Sequence, residues 1–370
     1  MATINQTAAD LLGVLEGGSI AEDVMAAIMD VSKVPLEFTN RCGTTRMSNP
    51  YKEWLMDRYA AQDLTNAVVD GADIDQQDQV EGQRVANTAQ QSVKEVRTSS
   101  RVQASDVIGR ANTLARHVSR RAHELQRDVE GILMSNQAAV EDDGNTTAGK
   151  VAGLEAWIDG KILIPAEGGA TTYTQTNALQ QVNSAGTITG GGWDNRSAST
   201  KLVPAWTYGT VTPGAITETA IKAVVQALYE NTGSRKNRVL MTRPGLHTKI
   251  ADFYFTSSAR IATLTAETNQ QGPAQAMGAV NSILTNYGVL DMVPNNLQPI
   301  GDSGSSSDTA FILDFDQIDI AYYRGYRTET LAKTGLSDKR MIHVDYSLCV
   351  KNSEALGMIQ GIDATAAMTA

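Results

Sequence analysis

The chain has 370 residues and a net charge of −10, with 42% hydrophobic, 19% charged and 5% aromatic residues. This length suffices for two domains of ordinary size, and the acidic balance argues against a general binder of nucleic acid or anionic membranes. No apolar run approaches the ~18 residues that span a bilayer, and the N-terminal residues lack the pattern of a secretory signal. Cys42 and Cys349 have no metal-like spacing, which predicts free thiols.

Residues 1–48 are predicted to form an arm. A short amphipathic helix is expected over Ala21–Val31, because apolar residues recur there at helical spacing, and Pro35 would stop it. The segment Arg41–Thr45 that follows is expected to be turn-like.

Residues 49–104 are predicted to form a projecting loop with two extended limbs, Pro50–Tyr59 and Gln83–Val102. The sequence between the limbs, from Gln62 to Gly82, contains acids but no lysine or arginine. Such a tract cannot form its own core, so it is predicted to be the outer part of the loop. Its six acids are candidate contacts to a neighbouring subunit: Asp63, Asp70, Asp73, Asp75, Asp78 and Glu81.

The segment Ser105–Asn136 is predicted to be a long amphipathic helix, which Ser105 or Asp106 could cap. At 1.5 Å per residue it would be a rod of roughly 45 Å, long enough to lie across a sheet. A coiled coil is the alternative for this spacing, although its alanine-rich seam would be thin. The apolar stripe comprises Ile108, Ala111, Leu114, Ala115, Val118, Ala122, Leu125, Val129, Ile132 and Leu133.

The remainder of the chain alternates helical and extended patterns after an irregular, Gly- and Thr-rich region at 165–215. Helices are predicted over Thr217–Asn231, stopped by Gly233, and from Pro244 to about Phe255. Strands are predicted over Arg238–Thr242, Ile283–Val293, Phe311–Tyr323 and Met341–Val350, the last continuing over Ala355–Ile362. This order predicts an α+β fold.

The sequence contains no arrangement of residues that is typical of an enzyme or a metal site. No HExxH, CxxC, GxSxG or phosphate-binding glycine motif is present, so neither a metal nor a cofactor is expected. Asp314 and Asp316 are two residues apart in a predicted strand and therefore share a face, which could bind a cation or serve a hydrolase. The alternative for this pair is an ordinary exposed strand face.

The order of these parts resembles the tailed-bacteriophage major capsid proteins of the Hong Kong 97 type, and in particular the podovirus-like group. The resemblance covers nearly the whole chain. It rests on EDVMAAIMDVSKVPLEF at 22–38, NPYKEW and MDR around Trp54 and Asp57, DGADIDQ, RVANTAQQ, HELQRDVEGILMSNQ, and TLAKTGLSDKRMIHVDYSLCVKNSEALGMIQGI at 330–362.

The resemblance implies a division into parts. Residues 1–48 would be the N-terminal arm, and residues 49–104 a two-stranded extended loop lying on a neighbouring subunit. Residues 105–139 and 306–370 would form the peripheral domain, with the spine helix 105–136 across its sheet. Residues 140–305 would form the axial domain, which meets its copies around the five-fold and six-fold centres.

The resemblance also implies function and partners. The chain would be a structural protein, not an enzyme, that assembles as hexamers and pentamers into an icosahedral phage head around double-stranded DNA. It would be a virion protein assembled in the bacterial host cytoplasm. A separate scaffolding protein is expected, because no long segment precedes the arm, and a portal and a cement protein are further expected partners. A phage tail or other virion structural protein is the alternative.

One departure from the resembled family concerns covalent links. In its founding member, a lysine of the extended loop reacts with an asparagine on another subunit. The sequence from Gln62 to Gln90 contains no lysine, which argues against such cross-linking here.

The last candidate site is a basic strip on the predicted spine helix, formed by Arg116, Arg120, His123 and Arg127. At 100° per residue these side chains share one face, opposite the apolar stripe. In the resembled fold this helix runs along the inner surface, so the strip would contact packaged DNA or an acidic scaffold segment. A solvated charged face is the alternative.

Overall fold

The computed structural model describes residues 35–57, 59, 62–73, 82–105, 113–158, 160–163, 201–205, 214–254, 281–299 and 308–363. The described residues divide into two units. One contains 94–105, 113–123 and 328–342, and the other contains the remainder. The helix predicted over Ala21–Val31 and most of the irregular region at 165–215 lie outside the described residues.

The loop region contains two strands that pair with each other. Strands β2 (Tyr51–Met56) and β3 (Gln83–Thr88) are antiparallel, with Tyr51 opposite Thr88 and Met56 opposite Gln83. Strand β1 (Gly43–Arg46) precedes them, so the predicted turn around Cys42 ends earlier than expected. The second limb is not one strand, because β4 (Gln90–Ser99) follows Ala89 and joins a different sheet.

The central helix is shorter than the sequence pattern predicts. Helix α1 (Ser100–Ala104) is a separate short helix, and helix α2 runs over Thr113–Leu133, roughly 30 Å. Ser105 does not cap α2 but follows α1 with an extended backbone, and its hydroxyl donates to the Arg101 carbonyl at 2.8 Å. Asp106 and the following residues to 112 lie outside the described part.

The apolar stripe of α2 is buried only in the second half of the helix. Leu125, Val129 and Leu133 are fully buried, whereas Val118 and Ala122 are half-buried and Ala115 is exposed. The prediction that Ala115 faces a core is therefore wrong.

Local signals predict the middle of the chain well. Helix α3 (Leu154–Trp157) and strand β5 (Gly160–Leu163) lead to helix α4 (Glu218–Thr232), strand β6 (Arg238–Thr242) and helix α5 (Pro244–Tyr254). The Thr217 hydroxyl accepts from the Ala220 N–H at the start of α4, and Gly233 ends it in a left-handed conformation at φ 65°. The predictions for α4, β6 and α5 are thus confirmed to within two residues.

Three later strand predictions are corrected at their boundaries. Ile283–Val293 is a hairpin of β7 (Ser282–Thr285) and β8 (Gly288–Pro294). Phe311–Tyr323 contains β9 (Asp308–Leu313), a 3₁₀ turn over Phe315–Gln317, and the start of β10 (Ile318–Thr330). Strand β11 (Ser337–Val350) does not continue into β12 (Gly357–Ile362), because a 3₁₀ turn over Ser353–Ala355 separates them.

The strands of the described residues form two larger sheets besides the β2–β3 pair. One has four strands in the order β1-β10-β11-β4, and the other has six in the order β5-β12-β9-β6-β8-β7. Helices α4 and α5 pack on the six-stranded sheet, burying residues that include Ile221, Leu228, Leu246 and Ile250 against Leu240, Ile312 and Ile359. The described residues form an α+β fold, as the sequence predicts.

Candidate assembly surfaces

The two-stranded finger formed by β2 and β3 is held at its base by buried polar groups. Trp54 donates its indole N–H to the Val350 carbonyl at 3.0 Å and stacks against Trp157, with ring centroids 5.2 Å apart. Asn87 is fully buried and donates to the Leu348 carbonyl at 2.8 Å. The side-chain oxygen Oδ1 of Asn87 accepts from the Ala152 N–H at 2.9 Å. Since buried amides are costly to leave unpaired, these bonds fix the finger on its unit.

The outer part of the finger, as far as it is described, carries apolar side chains that are exposed to solvent. Every described residue from 62 to 73 is exposed, including Leu64 at 89%. Tyr59 is 98% exposed, and Val68 and Val69 are exposed as well. An exposed group of large apolar side chains is typical of a surface that is buried in an assembly.

The predicted acids of the loop lie in this same segment. Asp63, Asp70 and Asp73 are exposed, and no lysine or arginine lies between residues 62 and 73. Hydrogen bonds from the hydroxyl and N–H of Thr65 lower the pKa of Asp63, so this carboxylate is charged at neutral pH. Asp75, Asp78 and Glu81 lie outside the described residues.

The predicted basic strip lies on α2 as the helical spacing requires. Arg120, His123 and Arg127 are exposed and Arg116 is half-buried. Arg120 and His123 have further interactions within the protein, so the strip is not uniformly free. Whether it meets an anionic partner stays a prediction.

Glu130, on the buried side of α2, is a site that the sequence analysis did not single out. Its carboxylate is fully buried and accepts from the backbone N–H groups of Phe38 and Thr39, at 2.7 and 2.8 Å. The Thr39 hydroxyl and the Asn295 amide donate to it as well, the latter at 3.0 Å. Glu130 thus ties the chain after Pro35 to the helix. Its position directly after Val129 of the apolar stripe is the only sequence signal for it.

Asp314 and Asp316 do not share a strand face, because a 3₁₀ turn over Phe315–Gln317 interrupts the predicted strand, so the exposed strand face expected there is wrong and the alternative of a cation site loses its geometric basis. Asp314 is buried and caps the 3₁₀ turn, accepting from the Asp316 N–H at 3.2 Å. The Lys236 ammonium lies 3.1 Å from Asp314 and 3.5 Å from Asp316. The hydrogen bond to Asp314 raises the pKa of Lys236, so the ammonium is charged at neutral pH and supplies a counter-charge to both carboxylates.

Other groups that could support chemistry are inert where the chain is described. Both cysteines are free and buried. Burial raises the pKa of Cys349 to about 11, so its reactive thiolate is scarce at neutral pH. No cluster of metal-ligating side chains is found among the described residues. None of the described helices is long and apolar enough to cross a bilayer.

Solved capsid structures share this fold over nearly the whole chain. The capsid of an empty GTA particle matches with a TM-score of 0.58 and 11% identity, covering 98% of this chain and 100% of that one. The capsid of Myoviridae phage XM1 gives 0.51 at 12% identity, covering 94% and 100%. Mycobacterium phage Che8 gives 0.53 at 11%, covering 95% and 99%. At these identities the matches establish the fold alone, which is the α+β fold of the Hong Kong 97 type that the resemblance implies.

The family follows from the sequence itself. A family model described as SU10 major capsid protein matches residues 2–363, while no curated protein sequence matches the chain. This is a family of structural proteins and not of enzymes, so the expectation of a capsid protein without catalytic function is confirmed. The chain belongs to the SU10 major capsid protein family and forms the icosahedral head of a phage.

Proposed function

We propose that this capsid protein assembles as hexamers and pentamers with the help of a separate scaffolding protein, and that the shell encloses double-stranded DNA. A portal and a cement protein complete the proposed partners. Assembly takes place in the host cytoplasm before the shell becomes part of the virion. The division into arm, extended loop, peripheral domain and axial domain, at the boundaries given above, belongs to the same proposal.

The observation that carries this proposal is the contrast between the base and the tip of the finger. Trp54 and Asn87 fix the base through buried hydrogen bonds. The tip exposes Leu64, Val68 and Val69 to solvent. A segment that is fixed at one end and exposes apolar side chains at the other gains stability when a second subunit covers it.

Assembly with a scaffolding partner tests the proposal directly. The chain co-expressed with its scaffolding protein is expected to sediment as megadalton particles and to give closed shells of hexamers and pentamers in electron micrographs. Tubes would support the alternative of a tail protein. A monodisperse monomer under every salt and scaffold condition would contradict assembly altogether.

Mature shells are expected to lack covalent links between subunits. The segment from Gln62 to Gln90 contains no lysine, so this part of the loop offers no amine for an isopeptide bond. Heating purified mature shells in detergent should therefore release single chains on a denaturing gel. A ladder of multimers that persists under reducing conditions would show that another residue forms the link.

The basic strip is proposed to contact phosphates or an acidic scaffold segment on the inner surface of the shell. Reversing Arg116 and Arg120 to glutamate is expected to leave the subunit folded while lowering scaffold-dependent assembly or genome retention. The difference from wild type should shrink as salt rises, because screening weakens the native contact too. Such contacts carry no sequence preference.

The matched control for the strip replaces Arg116 and Arg120 by lysine, which keeps the charge. This control should assemble and retain DNA like the wild type. If the glutamate variant also shows full assembly, full DNA content and an unchanged salt response, the strip is only a solvated face.

A further inference from the structure

The acidic tip of the finger, residues 62–73, has no counter-charge of its own. It contains three acids and no cation. Asp70 and Asp73 are exposed, and between them Gly71 adopts φ 81°, so a turn presents both carboxylates to solvent.

A second surface has the opposite charge. It consists of residues 97–105 and 331–340, which we term the basic platform. These segments contain five cations and one acid, although the whole chain has a net charge of −10. The cations are Arg97, Arg101, Lys333, Lys339 and Arg340, and the acid is Asp338.

Hydrogen bonds join the two segments of the platform into one piece. The Ser100 N–H donates to the Leu336 carbonyl at 3.1 Å, and the Arg97 guanidinium donates to the Ser337 hydroxyl at 3.1 Å. Arg97 and Ser337 therefore bring the start of α1 against the turn between β10 and β11. The platform is thus a preformed surface.

Most of the positive charge of the platform is oriented without being neutralised. The Lys333 ammonium pairs with Asp338 at 2.7 Å, and the charge of Arg340 acts on the same carboxylate. The hydrogen bonds that Lys339 and Arg340 donate go to the neutral hydroxyls of Thr334 and Thr330. A hydroxyl holds the side chain in place but leaves its charge available to an outside anion.

The platform also exposes apolar side chains next to its cations. Leu336 is 87% exposed and Val102 is 43% exposed. The acidic tip has the same combination with the opposite charge, since Leu64, Val68 and Val69 flank its carboxylates. Each surface therefore offers the other both charge neutralisation and apolar contact, which together give specificity and stability.

We propose that the acidic tip of one subunit docks on the basic platform of a second copy of this chain. The contact joins Asp70 and Asp73 to the cations around Arg101 and Lys339, and it covers Leu336. It rests on the proposed assembly function and names the surface that receives the finger. Ion pairs and apolar burial hold the contact without a covalent bond.

Charge reversal on each side, alone and combined, tests the pairing. One variant is Asp70→Lys with Asp73→Lys, the second is Arg101→Glu with Lys339→Glu, and the third carries all four changes. Each double reversal is expected to lower the yield of closed shells at least tenfold. The four-fold variant should recover to within about threefold of wild type, because it restores the opposite charges in exchanged positions.

Controls separate the contact from folding. Asp70→Glu with Asp73→Glu and Arg101→Lys with Lys339→Arg keep the charges, so both should assemble like the wild type. The urea midpoint of the unassembled subunit should be unchanged in every variant, since the substituted side chains are at least partly exposed. If a reversed variant does not fold, the neutral pair Arg101→Gln with Lys339→Gln replaces it and should give an intermediate loss of shells.

Three results would overturn the pairing. These are normal shells from either double reversal, a four-fold variant that assembles as poorly as the doubles, and a defect confined to the platform variant. The last would mean that the platform meets a scaffold or DNA and not the finger. A wild-type chain that forms no shells would contradict the proposed function itself, so the two failures are distinguishable.

Discussion

Replacing Gly153 by alanine is expected to lower the free energy of unfolding of the subunit by about 4 kcal/mol or to prevent folding. A Cβ atom at this position would lie 1.9 Å from the Ser135 carbonyl oxygen and 3.1 Å from that of Ile132. Both contacts are to backbone atoms, so no change of rotamer relieves them. Gly153 also donates its N–H to the Gln137 carbonyl at 3.0 Å, so any shift that makes room breaks this bond.

The surroundings of Gly153 leave the backbone no room to move. The residues from 151 to 158 are all buried, and Trp157 among them stacks on Trp54 at the base of the finger. A displaced segment would therefore disturb the finger anchor as well, and shells should be lost together with stability. Urea denaturation of the unassembled subunit measures the first effect, and sedimentation measures the second.

Gly245 provides the matched control for this substitution. It lies in the first turn of α5, and a Cβ atom there would meet nothing within 4 Å. Gly245→Ala should be neutral or slightly stabilising, since alanine favours a helix by up to ~1 kcal/mol over glycine. Equal stability of the two alanine variants would show that the Gly153 contact is relieved at little cost.

Elements with local start and stop signals could be predicted from the sequence, and α4 is the clearest case. Thr217 caps its N-terminus through its own hydroxyl, and Gly233 ends it because glycine tolerates a positive φ. Both signals lie within one turn of the helix that they delimit. The bounds of α4 therefore needed no information from distant residues.

Breaks inside apolar runs could not be predicted in the same way. The run Ile283–Val293 folds back at Tyr287, where the Thr285 hydroxyl donates to the Gly288 carbonyl at 2.7 Å and Gly288 takes φ 143°. The run Phe311–Tyr323 breaks where Asp314 caps a 3₁₀ turn and pairs with Lys236. Lys236 is 78 residues away from Asp314, so a tertiary contact that the local sequence does not show accompanies the local cap at this break.

Only one of the two assembly surfaces could be predicted, because the other combines segments that are distant in sequence. The acids of the finger tip were visible as a tract without cations, and Asp63, Asp70 and Asp73 are exposed as the pattern indicates. The basic platform was not visible, because Arg101 and Lys339 are distant in sequence and only the fold brings their segments together. A charge pattern shows one contiguous segment at a time, whereas a docking surface combines several.

Replacing Glu130 by glutamine is expected to lower the free energy of unfolding by about 3 kcal/mol, although the side chain keeps its size. The carboxylate offers one oxygen to the Phe38 N–H and the other to the Thr39 N–H and hydroxyl. An amide has only one oxygen, so its NH₂ group would face a backbone donor. At least one buried N–H then loses its acceptor.

The consequences of this substitution should extend to assembly. Phe38 is fully buried and its ring lies 5.9 Å from that of Phe315, so freeing the Phe38 N–H loosens an aromatic contact as well. The segment around Phe38 and Thr39 would lose its attachment to α2, and we expect fewer closed shells even where the variant subunit is folded. Urea denaturation and shell yield measure the two effects separately.

Asp128→Asn is the matched control for Glu130→Gln, because it removes an exposed carboxylate from the same helix. An exposed side chain can exchange its partners for water, so this change should cost less than about 1 kcal/mol. Glu130→Asp is informative in addition, since it keeps the charge but shortens the reach to Phe38 and Thr39. If Glu130→Gln is no more costly than Asp128→Asn, the carboxylate does not hold Phe38 and Thr39 on α2.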